Sequence, residues 1–225
     1  MESDPRGQLI ELLWRGHDPF FGYPANARPI DKQGWNSGHH YLEETISSLR
    51  PAITIEIGVW KGGSSITLAK ALRKNQIKGV VLSIDTWLGS WEHWNHPSRF
   101  LDLKIDRGYP TLFHTFMSNV IGEGLQEYIV PLPIDSNNAF NILKKCGISA
   151  GVIHIDGGHD YKAVSDDLVS WWGILQVGGV IIGDDYDPAR RVWPSVGAAI
   201  DDFCRGRADI RFESSPYKCR IRKLA

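Results

Sequence analysis

Two rhythms of apolar and polar positions alternate along this chain. Short, mostly apolar runs rich in β-branched residues, at 53–57, 80–84, 128–132, 151–155 and 179–183, read as strands buried on both faces. Between them lie segments with apolar residues every three or four positions, at 41–49, 64–73, 111–120, 137–145 and 162–175, which read as helices laid on a sheet. Strands alternating with helices predict a Rossmann-like, doubly wound α/β fold with a mostly parallel sheet. The tail departs from this rhythm. A helical stretch at 198–203 is followed by runs at 210–213 and 218–222 around a Ser-Ser-Pro turn, which predicts an antiparallel C-terminal edge pair.

Residues 1–38 show little period beyond a short helix at 9–14 and are rich in Gly, Pro and aromatic residues. They read as an arm or cap laid over a single domain at 39–225, and 225 residues are enough to fill one such core. The chain is 42% hydrophobic and 23% charged, so it is globular, and its net charge of −1 removes the electrostatic case for nucleic acid or an anionic membrane. The three cysteines lack metal-ligand spacing and indicate no disulfide framework. With no leader or membrane span legible, a cytoplasmic location is the default and the partner is expected to be a small molecule.

The chemistry concentrates where strands end. Asp156 closes one strand and Asp184-Asp185 another, and strand carboxyl ends are where open α/β sheets bind ligands. Three converging carboxylates repel unless a cation or protons hold them together, and oxygen ligation suits a hard ion such as Mg²⁺. Adjacent strand residues diverge, so Asp184 and Asp185 can share an ion only if the chain turns at Gly183 or Asp185. His159 follows Asp156 across Gly157-Gly158, a path tight enough to bring both to one pocket. Asp166 and Asp167 fall within a helical pattern and read as a solvated face.

The segment from Ile53 through Gly58-Val59-Trp60-Lys61-Gly62-Gly63-Ser64-Ser65 carries a strand through a glycine turn into a helix, where such sheets hold nucleotides. A bulky Trp60 argues against the pyrophosphate of NAD or FAD and leaves an adenosine ligand without phosphates. Asp85 ends the next strand, where it can hold ribose hydroxyls. The plainer alternative is a turn at Gly62-Gly63 and a helix cap at Ser64 or Ser65. The stretch 86–97 carries three tryptophans and two histidines with no regular period, and reads as a long loop.

Taken together, the Glu56-Ile57-Gly58-Val59 loop with Gly62-Gly63-Ser64, Ile84-Asp85-Thr86-Trp87, Ile155 through Tyr161 and Gly179 through Tyr186 resemble class I S-adenosylmethionine-dependent methyltransferases. More narrowly, they resemble the metal-dependent sugar O-methyltransferases of the macrocin and mycinamicin type. That resemblance implies S-adenosyl-L-methionine as cofactor, with Glu56, Gly58, Gly62 and Ser64 along its methionine and ribose, Asp85 on the ribose, and Asp135 and Ser136 beside the adenine. Trp87 is divided evenly between cofactor contact and packing. The resemblance further implies Asp156, Asp184 and Asp185 as ligands of Mg²⁺ or another divalent cation. His159 becomes the general base, working beside Asp156 on a hydroxyl of a small glycosylated or polyhydroxylated acceptor. A catechol acceptor and a non-catalytic nucleotide- or metal-binding module of the same fold stay open, while a dehydrogenase is disfavoured by Trp60. Members of the family are often homo-oligomers, which the sequence itself does not show.

Overall fold

The computed structural model describes residues 4–225. Five strands run parallel: β1 (Ile53–Ile57), β2 (Val80–Ile84), β3 (Ile129–Leu132), β4 (Ala150–Ile155) and β5 (Leu175–Tyr186). Two more, β6 (Ile210–Ser215) and β7 (Tyr217–Lys223), complete one sheet of order β3-β2-β1-β4-β5-β7-β6. The last strand in sequence, β7, inserts antiparallel between β5 and β6, so the edge pair expected from the tail is present.

Helices cover both faces because the strands are apolar on both. Helices α1 (Pro5–Trp14), α7 (Ser136–Lys145), α8 (Tyr161–Trp172) and α9 (Pro194–Cys204) pack with Ile55, Ile57, Ile153 and Ile181. On the opposite face α2 (His40–Leu49), α3 (Gly63–Lys74) and α6 (Leu112–Gly122) pack with Val81, Val152, Val180 and Ile182. The side-chain period of two puts Glu56 and His154, which are register partners, on this second face. Lys218, the register partner of Asp184, comes to the same region from β7. A polar row therefore crosses an otherwise apolar layer, ending at the carboxyl ends of the strands.

Two boundaries differ from the periodic reading. The helix expected over 162–175 ends at Trp172, and Leu175 already belongs to β5, paired with Ala150 before the register shifts. Gly173 ends the helix, and the apolar residues beyond it serve the strand. The aromatic stretch 86–97 is not a plain loop, since it forms α4 (Trp91–Asn95) and begins α5 (Pro97–Phe100). Ser90 and the His93 ring close a capping box on α4, and Pro97 occupies the first turn of α5. No helix among the described residues is long and apolar enough to cross a membrane.

Candidate active site

A cavity of about 400 Å³ opens at the carboxyl ends of the parallel strands, within the range of small-molecule sites. One end is built by the β1–α3 turn. Gly58 has φ +80°, and a Cβ there would sit 1.9 Å from the Asp156 carbonyl oxygen, so only glycine lets the two strand ends approach. Gly62 has φ +90°, and its missing Cβ makes room for the Phe116 ring. Asp85 shapes this turn. Its carboxylate accepts hydrogen bonds from the backbone N–H groups of Val59 (2.8 Å), Trp60 (2.9 Å) and Trp87 (2.7 Å).

Of the residues expected around a cofactor, Gly58, Ser64 and Asp85 line the cavity. The others sit elsewhere. Trp87 is buried against Phe113 and Phe116 and donates its indole N–H to the Trp60 carbonyl at 2.8 Å, so packing is its role here. Gly62 lies behind the turn. Asp135 caps α7 by accepting from the Asn138 N–H (3.0 Å), and Ser136 binds Asp167 and the Trp171 indole. Asp167 accordingly does not face solvent: burial pushes its carboxyl up to about 6, against the lowering effect of Ser136.

Glu56 lies beneath the cavity floor, fully buried. It accepts from Ser65, and His154 Nδ1 is 3.0 Å away. Burial pushes the Glu56 carboxyl up to about 8 and holds His154 down at about 3, with the nearby Lys218 ammonium adding to the second effect. Lys218 is completely buried, donates to His154 Nε2 at 3.1 Å and forms an ion pair with Asp184. The carboxylate of Asp184 thus has a permanent counter-charge supplied by the neighbouring strand.

The other end of the cavity carries Asp156, His159, Asp184 and Asp185 together. The chain turns at Asp185, whose φ is +57°, and β5 bulges between Asp184 and Tyr186. That turn sends the two side chains to different partners. Asp184 meets Asp156, while Asp185 lies 3.1 Å from His159 Nε2. On the other side of the imidazole, Glu92 of α4 lies 3.3 Å from Nδ1, and the ring stacks on Trp193 with centroids 4.0 Å apart. Burial alone would lower the His159 pKa, but the carboxylates of Asp185 and Glu92 outweigh it and raise the value above the ordinary histidine range.

Burial, and then the neighbouring Asp184 carboxylate, push the Asp156 carboxyl well above the usual carboxylate range. Two carboxyls set this close, where like charges repel, form the oxygen donor set a hard divalent ion takes up, with water and substrate oxygens completing its shell. Ligand atoms of His154, Asp156 and Asp184 lie within 4.8 Å of one another, but the lone pair of His154 Nε2 accepts from Lys218 and leaves the carboxylates as donors. The residues present therefore fit a divalent ion through Asp156 and Asp184. Asp185, expected as a third ligand, is turned to His159 instead.

Several residues of the site escaped the sequence reading. His154 stands two positions before Asp156 on β4 and so shares its face, a signal the period of two carries. Lys218, Glu92 and Trp193 come from the tail, the aromatic segment and the turn before α9, with no local pattern to announce them. Lys61 is likewise buried. It donates to Asp31 at 2.9 Å and fixes residues 33–37 of the arm, which line the cavity.

Residues 55–186 match the family described as a methyltransferase domain. Among curated proteins, uncharacterized protein R132 of Acanthamoeba polyphaga mimivirus is 27% identical over 170 residues, covering 74% of this chain. The match takes in 65% of that relative's length. Among solved structures, the O-methyltransferase TomG of Streptomyces achromogenes, involved in tomaymycin synthesis and solved with SAM, superposes at a TM-score of 0.60 with 15% identity over 100% of both chains. An O-methyltransferase of Bacillus cereus solved with SAH gives a TM-score of 0.59 and 14% identity over 98% of this chain and 97% of that one. At such identities the likeness is one of fold.

Proposed function

The chain belongs to the methyltransferase-domain family, and we propose that it transfers a methyl group from S-adenosyl-L-methionine to a hydroxyl of a small polyhydroxylated or glycosylated acceptor, with help from a divalent cation. The observation that carries this reading is that His159, with carboxylates on both ring nitrogens, lines one cavity together with Asp156, Asp184, Gly58 and Asp85. S-adenosylmethionine supplies an electrophilic methyl group on a sulfonium. Gly58 and Ser64 would admit and contact it, and the free lone pair on Asp85 Oδ1 would take a ribose hydroxyl, Asp85 itself being fixed by three backbone N–H groups.

Methyl transfer to oxygen needs an alcohol relieved of its proton. His159 accepts that proton at Nε2 when the acceptor hydroxyl replaces Asp185 there, with Glu92 fixing the ring through Nδ1. A divalent ion held by Asp156 and Asp184 would supply positive charge that makes such a hydroxyl more acidic. The arm acts as a cap through its residues 33–37, which line one side of the cavity and would limit water at the reacting centre. The wall of Trp35, Trp60, His93 and Trp193 also suits a flat acceptor, which favours a catechol as the second reading.

Calorimetric titration of S-adenosylhomocysteine tests the cofactor, and no binding under any condition would sink the proposal. Mg²⁺ titrated into the native chain and into Asp184→Asn tests the ion: a binding isotherm in the first and none in the second is expected. With an accepted substrate, His159→Ala should lower kcat by roughly 10²- to 10⁴-fold.

A further inference from the structure

Arg99, on α5, is the sole lysine or arginine among the described residues lining the cavity, and it makes no ion pair or hydrogen bond with any of them. Its guanidinium instead lies 6.0 Å from the centroid of the Trp193 ring. The cavity does not lack carboxylates, but each already has a partner. Asp85 is held by backbone N–H groups, Asp156 by Asp184, Asp184 by Lys218 and Asp185 by His159. Elsewhere in the chain Arg6, Arg28, Arg190, Arg191, Arg207 and Arg220 meet acidic side chains, while the exposed Arg107, Arg211 and Arg222 do not; Arg99, also exposed, differs from those three in lining this cavity. On the wall of this cavity such an arginine is open to an anionic group of a ligand.

We propose that Arg99 selects an acceptor bearing an anionic group, a carboxylate or a phosphate, whose hydroxyl then reaches His159. This rests on the methyltransferase reading and adds the chemical class of the acceptor. Trp193 supplies the geometry: its ring stacks on the His159 imidazole at 4.0 Å and its centroid lies 6.0 Å from the Arg99 guanidinium, so both groups border the same indole on the wall of one cavity. The guanidinium offers paired N–H groups that match a carboxylate or phosphate edge. Through Trp193, Arg99 stands near His159, which assigns it to the acceptor; its charge also reaches His93, whose ring stacks on Trp60 of the β1–α3 turn, so the carboxylate of the cofactor's methionine is the competing partner that the test separates.

The test measures equilibrium binding to the S-adenosylhomocysteine complex for matched probes: 3,4-dihydroxybenzoate against catechol, glucuronate against glucose, and glucose 6-phosphate as the phosphate arm. The native chain should bind the anionic member of at least one pair roughly 10- to 100-fold more tightly, the range of a charged hydrogen bond. Arg99→Gln should abolish that preference, Arg99→Lys should retain part of it, and the preference should weaken with salt. Equal binding of charged and neutral partners, no binding of any probe, or a preference that survives Arg99→Gln would overturn the proposal. So would a loss of S-adenosylhomocysteine affinity in Arg99→Gln, which would return the arginine to the cofactor. Failure of the native chain to bind S-adenosylhomocysteine is a separate result and counts against the methyltransferase reading itself.

Discussion

Gly58 concentrates the demands of the site in one residue. Its φ of +80° and the 1.9 Å approach to a backbone carbonyl leave no slack, because the neighbour that would have to move is the end of β4, not a flexible side chain. Gly58→Ala should cost ~3 kcal/mol or more, seen as a fall in the thermal midpoint of roughly 6–12 °C. Glu92 acts more gently. Its carboxylate helps to hold the His159 pKa above the ordinary range, and the base must be neutral to accept a proton, so the acidic limb of the kcat/KM profile should lie above that of a free imidazole. Glu92→Gln removes one of the two raising charges, and the limb should move to lower pH. Gly58, Asp85 and His159 were legible in the sequence because a turn, a strand end and an acidic neighbourhood mark them. Lys61 and Lys218 were not, since a lysine in a linear sequence gives no sign that it will be fully buried.

Among the elements, β1 and β2 have the bounds that their runs imply, because short β-rich runs flanked by turn residues are too short for a helical period to compete. The periodic reading did worse at β5. Its first half, Gln176 to Gly178, is exposed and polar enough to look like a connection, yet Leu175 pairs with β4. The aromatic segment misled for another reason: its helices are five and four residues long, too short to display a helical period. The placement of β7 beside β5 is a matter of topology, and through it Lys218 neutralises Asp184. Lys218→Met should strand that buried carboxylate and lower stability by about 3–5 kcal/mol in urea denaturation. The double variant with Asp184→Asn should recover part of the loss, since the two residues act as one pair.

For the whole molecule, the polar row across one face of the sheet makes stability depend on pH. Glu56 is protonated in the folded state up to about 8, while an unstructured chain releases that proton near the ordinary value of 4.5. A raised folded value gives a contribution that is complete below the unfolded pKa and is lost as pH rises toward the folded one. Stability should therefore decline across that interval by roughly 2–4 kcal/mol, and Glu56→Gln should flatten the decline when unfolding free energies are compared from pH 5 to 8. The same row has a consequence in time. Synthesis runs from the amino end, so Asp156 and Asp184 leave the ribosome well before Lys218, which arrives on the final strand. A nascent chain therefore carries its acidic pocket before the lysine that compensates it, and the closing of the β6–β7 hairpin is what brings that counter-charge to Asp184.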